Sequence, residues 1–171
     1  NAVRAAVSQV DPTDIIIGEG WNMGNILPGS QKADQPNLPN MTGIAAFNDS
    51  IRDGLKGSVF SSGDKGWATG KSSAADAVKG GIVGETAYSA LVTGSWGATQ
   101  PVQSVNYVEC HDNLTLWDKL SASTTLSKAN ATKVDQMIGS VVVLAQGIPF
   151  QQAGQEFLRS KGGNDNSYNA G

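Results

Sequence analysis

A chain of 171 residues has room for one domain of ordinary size with its own core and excludes a several-domain assembly. Its 39% hydrophobic and 16% charged residues describe a globular protein and exclude a disordered tail. A net charge of −3 with neither sign gathered into a run leaves no electrostatic footprint for nucleic acid or anionic lipid, and no apolar stretch approaches the roughly 20 residues of a membrane span. The single cysteine, Cys110, excludes a disulfide or zinc-ribbon scaffold and leaves the redox compartment undecided. Asn1 is not preceded by a basic and apolar leader, so the chain reads as a piece of a longer one, with any targeting segment upstream.

The first predicted element is a helix over residues 2–10, where Val3, Ala6, Val7 and Val10 recur at spacings of three and four before Asp11-Pro12-Thr13 stops it. Asp14-Ile15-Ile16-Ile17-Gly18 is a β-branched run between Pro and Gly, the pattern of a strand buried on both faces. Residues 24–40 hold Pro28, Pro36 and Pro39, which predicts a long loop without regular structure. A short strand over 43–48 follows, with Asn48-Asp49-Ser50 supplying acceptors for a helical turn over 51–55. Glycine and serine dominate 56–73, and 74–82 has helical character weakened by Gly80 and Gly81. A strand is predicted over 102–108, a helical turn over 114–120, a buried helix over 129–146 and a last strand over 147–150. Strands alternating with helices predict an α/β fold: a parallel sheet covered by helices, in a single domain over 1–171 without a linker.

Chemistry concentrates at two predicted strand ends. Glu19 follows the isoleucine run between Gly18 and Gly20 and just before Trp21. In parallel barrels that end of a strand is where catalysis is built, and an adjacent aromatic wall would desolvate the carboxyl and favour its protonated form, as a general acid requires. The bland alternative is a strand-end glutamate paired with a surface lysine. The second cluster is Glu109-Cys110-His111-Asp112-Asn113, which contains the only histidine. A lone histidine is more often structural than catalytic, but Asp112 and Asn113 beside it shift the balance. Glu19 and Asp112 facing each other across a barrel mouth is the arrangement that glycoside hydrolysis uses.

Other motifs fail. Gly18-x-Gly20-x-x-x-Gly24 has the glycines of a dinucleotide turn but no helix after it. Thr93-Gly94-Ser95-Trp96-Gly97 lacks the first glycine of a nucleophile elbow. Asn164-Asp165-Asn166-Ser167 has calcium-type oxygens without the glutamate that closes an EF-hand, and reads as a loop.

The blocks Gly18–Trp21 and Val105–Asn113 resemble two signature regions of the α-amylase superfamily of glycoside hydrolases, and more narrowly type I pullulanase. Residues 46–58, 115–120 and 147–157 are similar to the same enzymes, in their order and spacing, so the resemblance covers nearly the whole chain. It implies the C-terminal half of a (β/α)₈ TIM barrel, strands five to eight ending near Glu19, Asn48, Asp112 and Gln152, truncated at both ends. It implies Glu19 as general acid and base, Asp112 as the carboxylate that grips sugar hydroxyls and stabilises the transition state, and His111 and Trp21 as substrate-binding. Glu109 and Asn113 would hold the backbone. Asn22 stands where the family commonly has aspartate, and Cys110 where serine or alanine is commoner. The family's nucleophilic aspartate lies on strand four, before Asn1, so this piece alone is expected to be inactive, with unpaired sheet edges that promote self-association.

The implied activity is retaining hydrolysis of α-1,6 linkages in an α-glucan polysaccharide (pullulan, branched starch or glycogen), with no cofactor required and a structural calcium ion supported by no motif. The alternatives are another superfamily enzyme, an isoamylase or an α-1,4-acting amylase, or a non-catalytic glucan-binding half-barrel. A polymer substrate implies a secreted or cell-surface protein.

Overall fold

In the computed structural model, which describes residues 2–24 and 26–169, the elements follow the predicted order. Helix α1 (Ala2–Val10) leads into strand β1 (Ile16–Gly18). After the loop come β2 (Ile44–Asn48), α2 (Asp49–Lys56) and α3 (Ala75–Ile82). Strand β3 (Ser104–Asn106), helices α4 (Leu116–Ser123) and α5 (Lys128–Leu144) and strand β4 (Ile148–Pro149) complete the order. Asn25, within the expected 24–40 loop, and Ala170 and Gly171, at the end of the expected last loop, lie outside the described residues.

The strands form one parallel sheet of order β1-β2-β3-β4. Ile16 lies opposite Ile44, Ala46 opposite Ser104, and Val105 opposite Ile148. Parallel neighbours need a crossover, which the long loop over 19–43 provides from β1 to β2, α2 with α3 from β2 to β3, and α4 with α5 from β3 to β4. Local chemistry starts each helix where it does. The Asn48 side chain accepts from Ile51 N at 2.9 Å, and Asp49 in the first turn and Lys56 in the last complement the α2 dipole. Thr115 caps α4 by accepting from Asp118 N at 3.1 Å, and Ser127 caps α5.

The core lies between the helices and the sheet, with Ile51 and Leu55 of α2, Leu116 and Leu120 of α4, and Ile138 and Val142 of α5 all buried in one cluster. Each such side chain contributes about 1.5–3 kcal/mol. Close approach of α2 and α3 depends on Gly81, where a Cβ would sit 2.4 Å from Ile51 Cβ.

Four sequence expectations are corrected. Strand β1 is not buried on both faces: Ile15 and Ile17 are 45% and 47% exposed. Among the described residues it pairs only with β2, and an apolar run does not reveal on which side a neighbour lies. Helix α5 buries a single stripe, Ala131, Asp135, Ile138 and Val142, at helical spacing, while Leu144 is 80% exposed. Only residues 104–106 of the expected strand over 102–108 pair in the sheet, although Tyr107 and Val108 continue buried beyond it. The proline-rich loop holds two 3-10 turns, Gly29–Gln31 and Gln35–Asn40. Pro36 sits in the first turn of the second, where its missing N–H removes no bond.

Candidate active site

A cavity of about 710 Å³ opens at the C-terminal ends of the strands, lined by Glu19, Trp21, Arg52, Tyr107, His111 and Asp112 among others. The four candidate catalytic and substrate-binding residues, Glu19, Trp21, His111 and Asp112, therefore reach one pocket, although the blocks that carry them are some 90 positions apart in the chain.

Glu19 is placed by the end of β1 and by the turn after it. Gly20 has φ +77°, and a Cβ there would lie 2.5 Å from Ala46 Cβ, so only glycine lets the chain turn against β2 directly after the carboxylate. The returning segment is tied to the end of β2: Gln35 N donates to Gly20 O at 3.1 Å, and Gln35 Nε2 donates to Phe47 O at 2.8 Å and Asp49 Oδ1 at 2.9 Å. Asn22, the departure from the resembled pattern, accepts from Lys32 Nζ at 2.8 Å. The aromatic cover expected over Glu19 is not formed among the described residues: Glu19 is exposed, and the Trp21 ring lies by the Arg52 guanidinium, 6.0 Å from ring centroid to Cζ.

The second cluster is held from beneath by Glu109. This carboxylate is buried, and Oε2 accepts from Leu116 N at the start of α4, as expected of a backbone-holding residue. Burial pushes the Glu109 carboxyl up, against the Leu116 hydrogen bond and the nearby Lys56 ammonium. Lys56, itself buried, is brought down to about 8, first by burial and then by the Arg52 charge. Asn113 closes the turn at φ 60°, a left-handed conformation that asparagine tolerates. The turn thereby presents His111 and Asp112 outward, 73% and 56% exposed, with Nε2 and Oδ1 3.5 Å apart. Burial raises the Cys110 thiol, so it stands in the pocket wall as a neutral group.

Sequence reasoning missed Arg52 and the aromatic wall. Arg52 is buried; Nη1 donates to Tyr107 Oη at 2.5 Å and Nε to Asp53 Oδ1 at 2.6 Å. Its Cζ lies 5.5 Å from the Tyr107 ring centroid. Phe47, Tyr107 and Phe150, from the ends of three strands, meet edge to face with centroids 5.0 to 6.3 Å apart. Their only sequence signal is position, each falling within three residues of a predicted strand end. Asp165 and Asn166, read as part of a plain loop, also line the cavity.

A parallel four-stranded sheet covered by helices, with an acidic, aromatic-walled cavity at its strand carboxyl ends, defines the class of protein: an α/β protein with its candidate site at the carboxyl edge of the sheet. No protein-family model matches the chain. The pullulanase of Bacillus subtilis (strain 168) is 40% identical over 167 residues, covering 97% of this chain and 23% of that protein. Pullulanase 1, chloroplastic, of Arabidopsis thaliana is 32% identical over 213 residues, covering 99% of this chain and 22% of that protein. The crystal structure of apo pullulanase from Paenibacillus barengoltzii superposes with a TM-score of 0.93 at 44% identity, over 98% of this chain and 26% of that one. The same pullulanase has been solved with maltohexaose and α-cyclodextrin. Over nearly its whole length, this chain is homologous to a segment of the pullulanases. It spans less than a quarter of the length of these curated relatives.

Proposed function

We propose that the protein to which this chain belongs is a debranching glycoside hydrolase that cleaves α-1,6 linkages of pullulan, branched starch or glycogen with retention. The observation that carries this reading is the convergence of Glu19, Trp21, His111 and Asp112 on one cavity at the strand ends. In this reading the sheet is the second half of a (β/α)₈ barrel, β1 to β4 being its strands five to eight. The nucleophile belongs to the part of the full-length protein outside this chain.

Glu19 protonates the departing glycosidic oxygen and then takes a proton from the attacking water. Its exposed side chain faces the cavity and is covered when a glucan chain binds against it, with Trp21 offering the sugar an apolar face. Asp112 and His111, outward on their turn and 3.5 Å apart, grip hydroxyls of one glucose as positive charge develops at its anomeric carbon. The Arg52–Tyr107 pair and the aromatic wall keep this side of the cavity rigid. The reading calls for no cofactor, and acting on a polymer fits a secreted or cell-surface protein.

The test is kinetic, on the full-length protein. The parent should release reducing sugar from pullulan in preference to linear maltodextrin. Glu19→Gln should lower kcat by about 10³-fold, in the range lost with a general acid–base group, while pullulan binding is retained. Near-normal kcat in Glu19→Gln would remove Glu19 from the chemistry. A parent that binds pullulan without cleaving it would leave only a glucan-binding role.

A further inference from the structure

Helix α4 contributes no side chain to the cavity, yet two adjacent residues on it hold two separate loops that lead into the cavity wall. Lys119 is buried, and its ammonium donates to Ser58 O at 2.8 Å, to Ser62 O at 3.2 Å and to Ser61 O. An ammonium has three protons, so this one is fully used on the carbonyls of a single loop. Between those carbonyls sit Val59 and Phe60, which line the cavity. Asp118, also buried, accepts from Ser160 Oγ at 2.6 Å, from Lys161 N at 2.8 Å and from Gly163 N at 3.3 Å. That loop continues directly into Asp165 and Asn166, which also line the cavity, and Lys161 Nζ donates to His111 O at 3.0 Å.

Consecutive residues of an α-helix point about 100° apart, so neighbouring side chains can serve two different loops. Helix α4 is itself fixed to the site, because Glu109 takes its first free N–H two residues before His111. Its inner face is anchored in the core by Leu116 and Leu120. Within the 58–62 loop, Ser58 O also accepts from Ser61 N and Ser61 O from Asp64 N, so Lys119 adds a charged donor from outside to a turn the backbone begins, while in the 160–163 loop Asp118 takes the Lys161 and Gly163 amides directly.

We propose that Asp118 and Lys119 are positioning residues that together set the width of the substrate cavity by fixing its two wall loops to α4. This rests on the reading of the cavity as the glucan site. The charges are complementary to their loops: a cation for a ring of carbonyls and an anion for a run of amides. Neither residue touches the proposed substrate position, so their effect falls on fit to the glucan and not on the proton transfers of Glu19.

The test uses the full-length protein and reads two quantities. By hydrogen exchange with mass spectrometry, Lys119→Met speeds exchange of the 58–62 amides and Asp118→Asn that of 160–163, each by about tenfold or more, with α5 unchanged. In kinetics on pullulan, both raise KM roughly tenfold with kcat within about threefold of the parent, a split that a general loss of stability does not give. Ser160→Ala, on an exposed residue, gives the same pattern confined to 160–163 at smaller size and decides the Asp118 half if Asp118→Asn fails to fold; Lys119→Gln, which keeps a polar head without the charge, serves the 58–62 half if Lys119→Met fails to fold. Unchanged exchange in both loops, or a fall in kcat at constant KM, overturns the proposal. If the parent does not cleave pullulan, the functional reading fails on its own, while the exchange measurement still decides whether the two residues hold the loops.

Discussion

Glu85 is fully buried, and neither carboxylate oxygen has a partner at full hydrogen-bond geometry among the described residues. Burial lifts it to about 7; the nearest donors, the Asn48 side chain and the Trp96 backbone, only partly oppose this, and the Asp49 charge adds to it. A carboxyl whose folded value is raised contributes stability that is complete below its ordinary value of 4.5 and is lost as pH rises through the folded value. At about 1.4 kcal/mol per unit, ionising Glu85 costs about 3 kcal/mol by pH 8 and about 1 kcal/mol at pH 5. Glu85→Gln keeps the shape and removes the charge. Relative to the parent, it should therefore be about 2 kcal/mol better placed at pH 8 than at pH 5, read from denaturant midpoints at both values. Asp135 is also raised to about 7, by burial and then by Glu109, so part of the parent's fall over the same window persists in the variant. An equal difference between parent and variant at the two pH values would refute the reasoning.

Gly81→Ala sets two effects against each other: a helix gains up to about 1 kcal/mol from alanine, while a methyl 2.4 Å from Ile51 Cβ overpacks the α2–α3 contact by about 1–3 kcal/mol. The expected result is a lower thermal midpoint, and a rise would show that the two helices part freely. Asp112→Asn should lower kcat on pullulan strongly while stability shifts by no more than about 0.5 kcal/mol, since the side chain is largely exposed; a fall in thermal midpoint with kcat intact would make Asp112 structural.

Much of the fold was legible because local signals agreed with the tertiary outcome. The 3.6-residue period over 2–10 gave α1 its bounds, and Asn48 marked the β2–α2 boundary by its capping chemistry. What the sequence did not carry was neighbourhood. Ile15 and Ile17 look identical in an edge strand and a central one, and the apolar residues of 129–146 do not state which face meets the sheet. The site divides the same way. Glu19, Trp21, His111 and Asp112 were legible as polar and aromatic groups at strand ends. Arg52 was not, because an arginine four residues into a helix has no signal of its own until Trp21 and Tyr107 are brought to it. What covers Glu19 was likewise beyond reach, since it depends on the residues brought to the end of β1 by the rest of the fold.

Asn48 ends β2, caps α2 and donates to Ser104 Oγ of β3 at 2.9 Å, so three elements meet on one side chain with no spare residue between strand and helix. That junction cannot absorb a change in chain length: one inserted residue would either uncap the helix or turn the following side chains to the wrong face of the sheet. The match to the Arabidopsis protein nevertheless runs over 213 residues, more than the 171 present here. A connection such as 86–97, where most side chains face solvent, can take up a difference in length without disturbing the strand–helix junctions. A length-variable periphery around fixed junctions lets one frame carry differing outer loops while its strand-end residues stay in register.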